Sequence, residues 1–384
     1  MCTFLLALIY LAFISLGLPD SLLGSAWPAL RLSFDVPISY MGIVSMIISG
    51  GTICSSLMSE RLTKRFGTRM VTTVSIFVTA IAMFGFSTVT EFWQLCFWGI
   101  PYGLGAGAID SALNNYVALH YSSRHMSWLH CFWGVGTIIS PYIMSYAIAH
   151  SSWSGGYRIV SFIQLGIAVT MLLTLPVWNV HKGRSDSENE GAVVGLKGAL
   201  KIKGVPSLLI GFFAYCAAEA TVMLWASSYL SVTKGLSEKD AAAYASLFFI
   251  GITAGRFISG LVSDRLGDRN MIRIGVAVAL SGVLLVLLPV SAELPALAGF
   301  VVIGLGCAPV YPSIIHATPS NFGAENSQAI IGIQMASAYV GSTFMPPVFG
   351  LIANHLDIRL MPFYIALFLV LMIVMTEKTF GMKK

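Results

Sequence analysis

The sequence predicts an all-α integral membrane protein with twelve transmembrane helices, arranged as two similar six-helix bundles. Of the 384 residues, 56% are hydrophobic and only 10% are charged, whereas soluble domains carry about 25% charged residues. Most of the chain consists of apolar runs close to the ~20 residues that a helix needs to cross a hydrocarbon core. A soluble enzyme is excluded, because so few charges cannot cover a water-exposed surface. The net charge of +5 lies in loops, so it does not indicate nucleic-acid binding.

The polar breaks between apolar runs place the twelve spans, which we number along the chain. They cover residues 3–29, 37–58, 70–88, 92–119, 126–149, 157–180, 206–231, 240–262, 271–290, 294–317, 327–353 and 358–376. The longest polar stretch predicts an acidic segment followed by a short basic amphipathic helix at the membrane surface. The predicted domains are therefore an N-terminal bundle over 1–180, a linker over 181–205 and a C-terminal bundle over 206–384.

Basic residues are concentrated on one side of the predicted membrane. The odd-numbered loops contain only Arg31, Arg158, Lys234, Lys239 and Arg359, and nearly all other lysines and arginines lie in even-numbered loops or at the C-terminus. Because Lys and Arg are retained in the cytoplasm, we expect both termini to be cytoplasmic. The expected location is a plasma membrane, as a multi-pass protein of a bacterial inner membrane.

The two halves of the chain repeat each other at a nearly constant spacing. The loop sequence KRFGTR from Lys64 returns as DRLGDR from Asp264, 200 residues later. GLGAG of span 4 returns as GLGCA of span 10 after 201 residues, and Asp20 of span 1 has its counterpart in Glu219 of span 7 after 199 residues. Parallel six-span repeats are typical of secondary transporters. A channel or a membrane enzyme has no need of this duplication.

The second copy of this loop, GLVSDRLGDR over 260–269, resembles the loop signature of the major facilitator superfamily. GLPDSLLGSAWP in span 1, an acid in span 4 and WLHCFWGVG in span 5 are similar to the sugar branch of that superfamily, around the fucose:proton symporters. The resemblance implies the twelve-helix fold of the superfamily. The first copy departs from the signature, because Glu60 stands at its first glycine and Lys64 at its aspartate.

The signature residues are predicted to serve gating or structure. They are Asp264, Arg265, Gly267 and Arg269. Arg256 in span 8 is assigned to the same group by resemblance, since an arginine near the cytoplasmic end of this span is common in the superfamily. Contact with the transported solute is the alternative for Arg256.

Two acids inside the spans are the candidates for proton coupling, because ionisable side chains at membrane depth cost several kcal/mol. Asp20 follows Pro19, which interrupts the helical hydrogen bonds. An acid of this span is implicated in proton coupling in the fucose symporters, and the resemblance implies that role for Asp20; an acid bonded at a helix kink is the alternative. Glu219 is a second proton site, a latch to the other half or a member of a buried salt bridge.

Span 4 carries a stripe of small and polar residues that ends in Asp110 and Asn114, four residues apart on one helical face. This stripe favours lining of a cavity, and the resemblance implies that Asp110 occupies the position of a substrate-binding glutamate. In span 5, His130 lies on one face with Trp133; a packed core histidine is the alternative. The other predicted solute contacts are Trp27, Asn115, Tyr311, His316 and Gln334.

These features predict a secondary active transporter rather than an enzyme. We expect proton-coupled symport of a monosaccharide or related polyol by alternating access, with protonation of Asp20 neutralising the site. A drug or metabolite:proton exporter is the alternative. An organic-anion carrier ranks lower, because Arg256 lies too near the cytoplasmic end. A non-transporting sensor also ranks lower. No cofactor and no metal site is predicted, although sodium is not excluded as the coupling ion. The expected partners are the solute, protons and membrane lipids, with no nucleic acid, and the expected state is a monomer.

Overall fold

The computed structural model describes residues 2–37, 40–181, 194–236, 238–289 and 292–382. Throughout these residues the regular secondary structure is helical, with no strand. The first half of the chain contains the helices α1 (Cys2–Asp20), α2 (Leu22–Phe34), α3 (Tyr40–Phe86), α4 (Phe92–His120), α5 (Ser123–His150) and α6 (Trp153–Leu173). They are followed by α7 (Gly195–Lys201), α8 (Val205–Lys234), α9 (Glu238–Leu266), α10 (Asp268–Leu287), α11 (Leu294–Cys307), α12 (Val310–Phe322), α13 (Ala324–His355) and α14 (Met361–Gly381). Two 3₁₀ helices cover Leu175–His181 and Ile358–Leu360.

These helices account for the twelve membrane crossings. Ten apolar helical segments of the described chain are long enough to span a membrane, with α1 and α2 forming one segment and α11 and α12 another. One of the ten is α3, whose 47 residues contain non-helical backbone at Gly67 and therefore form two crossings. Together with α4, these segments give the twelve spans, and the predicted fold class is confirmed.

The repeat of the two halves is visible in the backbone at one particular residue of each. Gly67 has φ 75° and ψ 152°, and Gly267, 200 residues later, has φ 76° and ψ 155°. A positive φ of this kind is a conformation that glycine adopts at no steric cost. Both copies of the loop therefore turn the chain in the same way, through a glycine that joins two helices almost without an intervening loop. The predicted break at residues 59–69 contains this turn, and α3 continues helically up to Gly67.

The residues form two compact units, each packed mainly within itself. The first is Met1–Tyr116 with Leu129–Leu196, and the second is Val117–Trp128 with Lys197–Lys384. The segment that joins α4 to α5 therefore groups with the second unit. The domain limits at residues 180 and 205 stay a prediction.

The polar linker is described only in its last part. The amphipathic helix is present as α7, with Ala199 buried and Leu196, Lys197, Leu200 and Lys201 exposed. The predicted acidic segment falls on residues 182–193, which lie outside the described residues.

Candidate functional site

Prolines in the spans free backbone carbonyl groups, and side chains of other helices bind them. Pro19 has no N–H for the carbonyl of Ser15, and Gln164 Nε2 of α6 donates a hydrogen bond to that oxygen instead, at 2.8 Å. Pro141 similarly leaves the carbonyl of Thr137 free, and Ser21 Oγ donates to it at 2.7 Å. These bonds stabilise the break between α1 and α2, where Asp20 is the last residue of α1.

Glycines bring α1 and α5 into direct backbone contact in the last turns of α1 before this break. A Cβ atom on Gly17 would meet the carbonyl oxygen of Trp133, and one on Gly136 would meet the carbonyl oxygen of Ile14. Close approach of this kind is the usual effect of small residues between membrane helices. It places Trp133, in the middle part of α5, beside the end of α1.

Asp20 is bound at this point by two neutral donors. The hydroxyl of Tyr102 on α4 donates to Asp20 Oδ1 at 2.7 Å, and Trp133 Nε1 on α5 donates to Asp20 Oδ2 at 2.8 Å. Tyr102 is buried, whereas Asp20 is exposed. Each carboxylate oxygen thus has one hydrogen bond and retains acceptor capacity. A proton or a hydroxyl group of a solute can reach this acid.

Three further predicted residues form a buried hydrogen-bonded chain in the same unit. Asn114 Nδ2 donates to Asp110 Oδ1 at 2.7 Å, and Asn114 Oδ1 lies 3.1 Å from His130 Nε2. All three side chains are at most 5% exposed, and the ring of Phe13 packs edge-on against the imidazole. The amide of Asn114 therefore links the acid of α4 to the histidine of α5, and Asn115 beside it is also buried.

Not every predicted contact lies with Asp20, and one contact was missed. Trp27 is buried in the apolar core beside Leu22 and Leu30, so of the two tryptophans only Trp133 is shown bound to the acid. Tyr102 was not predicted, although it lies eight residues before Asp110 on the same face of α4. The sequence signal was a tyrosine on an already polar stripe.

In the second unit, the acid equivalent to Asp20 is part of an ion pair. Arg256 of α9 reaches Glu219 of α8 at 3.4 Å, and the two side chains are 6% and 14% exposed. Glu219 lies in the middle of α8, which covers Val205–Lys234. α9 continues to Leu266, beyond the predicted end of the span at 262, and the gating or structural role of Arg256 stays a prediction.

Tyr311 and Gln334 lie on neighbouring helices of the second unit. The hydroxyl of Tyr311 donates to the sulfur of Met335 at 3.3 Å, and Gln334 Oε1 accepts from Thr318 Oγ1 at 3.1 Å. Gln334 is fully buried, and its Nε2 has no hydrogen-bond partner among the described residues. This amide nitrogen is a donor that another group could use.

The signature loop between α9 and α10 binds the segment that joins α4 to α5. Asp264 accepts from the backbone N–H of Arg124 at 3.0 Å, and its Oδ2 lies 3.2 Å from Arg124 Nε. Asp268 accepts from Ser123 Oγ at 2.6 Å and contacts His316 Nδ1 at 2.7 Å. His316, predicted as a solute contact, therefore lies with the signature loop.

The other signature residues have separate surroundings. Arg269 binds Glu377 of α14 at 2.6 Å, and Glu377 also binds Arg273. Arg265 is exposed, and Gly267 provides the left-handed backbone of the turn. Among the described residues, no three His, Cys, Asp or Glu side chains are grouped as metal ligands.

Comparison with known proteins identifies the family of the chain. The family model of the Major Facilitator Superfamily matches residues 9–293 and 208–381. A glucose/galactose transporter of Brucella abortus is 24% identical, over 87% of this chain and 84% of its own length.

Two solved transporters share the fold. The Major Facilitator Superfamily transporter FucP in its outward conformation has a TM-score of 0.79 at 15% identity, covering 97% of this chain and 98% of FucP. The proton:xylose symporter XylE has the same TM-score of 0.79 at 13% identity, covering 97% and 94%.

Proposed function

The chain belongs to the Major Facilitator Superfamily and is a membrane transporter, and from this premise we propose that it moves a small polar solute by proton-coupled symport. The proposed solute is a monosaccharide or a related polyol. The observation that carries the proposal is the carboxylate of Asp20, exposed at a helix break and bound by the neutral donors Tyr102 and Trp133.

Asp20 is the proposed proton site. Its donors are uncharged, so proton uptake removes the charge of the carboxylate without leaving a cation unbalanced. A charge at membrane depth costs several kcal/mol, and its removal favours movement of the loaded carrier through an apolar environment. Glu219 was the other candidate; its contact with Arg256 supports the salt-bridge alternative for this acid.

Sugar recognition is supported by the groups around Asp20. The hydroxyls of a polyol need acceptors such as the carboxylate of Asp20, and a pyranose ring packs its apolar face on an indole such as that of Trp133. The buried hydrogen-bonded chain of Asp110, Asn114 and His130 supplies further acceptors and donors on α4 and α5, the helices that carry Tyr102 and Trp133. The relatives named for glucose and galactose and for xylose favour the same solute class.

The proposed cellular setting follows from the charge bias of the loops. We place both termini in the cytoplasm and the protein in a bacterial inner membrane, since the basic residues lie on the side that holds the termini. The proposed partners are the solute, protons and membrane lipids, and the proposed state is a monomer. The proposed cycle is alternating access of the two bundles predicted from the repeat.

An organic-anion carrier is the second candidate, because one observation favours it. Arg256 contacts the middle of α8, so the second unit has a guanidinium where a carboxylate of a solute could bind. Against it, Glu219 already neutralises this arginine.

Uptake into proteoliposomes tests both candidates. The purified protein is given a panel of labelled monosaccharides, polyols and organic anions, under proton and sodium gradients applied separately. We expect a sugar to accumulate under an inward proton gradient. Asp20→Asn is expected to abolish that response, and the matched control Asp35→Asn, which keeps a residue that tolerates the left-handed backbone there, is expected to retain it.

Three outcomes would contradict parts of the proposal. An undiminished response of Asp20→Asn to the proton gradient would remove Asp20 from the coupling mechanism. Accumulation under the sodium gradient alone would replace the proton. Uptake of anions in place of sugars would establish the second candidate.

A further inference from the structure

His316 of α12 is held by two acceptors, one at each ring nitrogen. Nδ1 lies 2.7 Å from Asp268 Oδ2 of α10, and Nε2 lies 3.1 Å from the backbone carbonyl oxygen of Tyr121. Tyr121 belongs to the segment 117–128 that joins α4 to α5 and groups with the second unit. One imidazole thus ties that segment to the signature loop.

The chemistry of the two partners decides the form of the ring. A backbone carbonyl can only accept a hydrogen bond, and an ionised carboxylate can only accept. A neutral imidazole has one N–H and would satisfy one of the two partners, while the imidazolium has two and satisfies both. Exchanging the ring atoms by a flip gives no better arrangement, because both acceptors already face a nitrogen.

Asp268 is expected to be the charged member of this contact. It is the first residue of α10, and a carboxylate is stabilised at a helix N-terminus. Its other oxygen lies 2.6 Å from Ser123 Oγ, which can donate to it. An ionised Asp268 leaves His316 as the partner that must provide the hydrogen.

The remaining charges around His316 agree with a cationic ring. Asp264 of α9 adds a second negative charge near it, and that acid is itself bound to Arg124 of α5. His125 follows Arg124 in the same segment. His316 is 20% exposed and Asp268 16%, so a proton from water can reach the pair.

We propose that His316 is a proton-binding site that latches the segment 117–128 to the signature loop. With the proton bound, the imidazolium bridges Asp268 and the carbonyl of Tyr121. Loss of the proton, taken up by water, leaves one N–H for two acceptors and breaks one of the bonds. The segment then detaches more readily from the loop. The consequence for transport rests on the proposed function, whereas the latch itself does not.

Carbon-13 NMR of protein labelled in its histidine rings tests the charge directly. The signal of His316 is assigned as the one that disappears in His316→Gln. We expect the shifts of an imidazolium at neutral pH in the wild-type protein, where a free histidine is largely neutral. A signal typical of a neutral ring at neutral pH would overturn the proposal. The assignment uses folded His316→Gln, and the shift itself is read from the wild-type protein.

Hydrogen exchange of residues 117–128 tests the latch, with each rate divided by the intrinsic chemical rate at the same pH. Loss of a hydrogen bond to a charged group predicts that protection falls on the order of tenfold between about pH 6 and about pH 9. His316→Gln is expected to show the low protection at both pH values. The matched control His355→Gln, at an exposed histidine, is expected to follow the wild type.

Protection that does not depend on pH, or that is unchanged in His316→Gln, would overturn the latch. Neither measurement uses uptake, so its result is independent of the solute and of Asp20. If the latch is confirmed while the uptake assay shows no proton coupling, the proposed function fails alone.

Discussion

The two units hold an acid at equivalent positions of the repeat but stabilise it in different ways. Asp20 of the first unit accepts hydrogen bonds from the neutral groups of Tyr102 and Trp133. Glu219 of the second unit faces the guanidinium of Arg256. A proton on Asp20 removes a charge that faces the uncharged donors Tyr102 and Trp133, while a proton on Glu219 would remove the negative charge that faces the buried guanidinium of Arg256. The acid therefore has an equivalent position in both units. The groups that contact it differ, since Asp20 has neutral donors and Glu219 has a cation.

The two copies of the signature loop differ in a comparable way. Their glycines, Gly67 and Gly267, share one backbone conformation. Glu60 in the first copy accepts from the backbone N–H groups of Val194 and Gly195, at 2.7 and 2.8 Å, and so holds the start of α7. The second copy has Gly260 at the equivalent position.

That second glycine makes room for a ring. A Cβ atom on Gly260 would collide with the indole of Trp128. The same glycine turn thus occurs in the loop that contacts α7 in the first unit and in the loop that contacts the α4–α5 segment in the second. The lesson is that a repeated backbone can serve different partners once one side chain changes.

The largest expected effect comes from the ion pair. Glu219→Gln should lower the free energy of unfolding by about 3 to 5 kcal/mol, because it breaks a buried ion pair by removing the carboxylate that faces Arg256. Asp20→Asn should cost about 1 kcal/mol, since its two donors are uncharged and no ion pair is broken. Thermal unfolding in detergent measures both. Equal losses of stability in the two single variants would contradict this difference between the acids. The double variant Glu219→Gln with Arg256→Gln should recover part of the stability.

The second effect concerns the glycine that accommodates Trp128. Gly260→Ala should destabilise the protein by about 1 to 3 kcal/mol, because the added methyl group overlaps the indole. The control Gly166→Ala lies on α6 where a Cβ meets nothing within 4 Å, and should be neutral or slightly stabilising. Thermal unfolding of both variants measures the difference; similar values would mean that Trp128 does not depend on Gly260.

The third effect sharpens the role of the neutral donors. Tyr102→Phe removes one of the two hydrogen bonds to Asp20 and should cost about 1 kcal/mol of stability. It should also weaken the response of uptake to a proton gradient. Tyr364→Phe, which removes a tyrosine hydroxyl bonded to the carbonyl of Met345 in the second unit, is the control and should leave that response unchanged. If both variants behave alike, Tyr102 is only structural.

The smallest effect concerns the linker helix. Glu60→Gln replaces one of the two accepting oxygens by an NH2 group, which cannot accept from a backbone N–H. One of the two hydrogen bonds at the start of α7 is then lost, at a cost of about 0.5 to 1 kcal/mol. Hydrogen exchange of residues 194–201 should become a few times faster. Lys64→Gln removes the other partner of Glu60 and should leave this exchange close to that of the wild type. Unchanged exchange in Glu60→Gln would show that Glu60 does not hold the helix.

Much of the fold was accessible from the sequence, because a membrane helix satisfies its own backbone hydrogen bonds and must be apolar along its length. The repeat spacing and the signature loop then identified the architecture. The limits of the helices were less accessible: Gly67 joins two spans within α3, so the hydropathy break there did not correspond to a loop. Likewise, α9 continues to Leu266, beyond the apolar run that predicted the end of its span at 262.

The sequence by itself determined which residues are chemically unusual, since an acid, a histidine or an arginine stands out in an apolar span. It did not determine their partners. The contacts of Tyr102 with Asp20, of Arg256 with Glu219 and of His316 with Asp268 each join two different helices. Those pairs depend on which faces of the helices pack together. Close packing at glycines and hydrogen bonds to the carbonyls freed by prolines set this packing, and only the tertiary structure shows it.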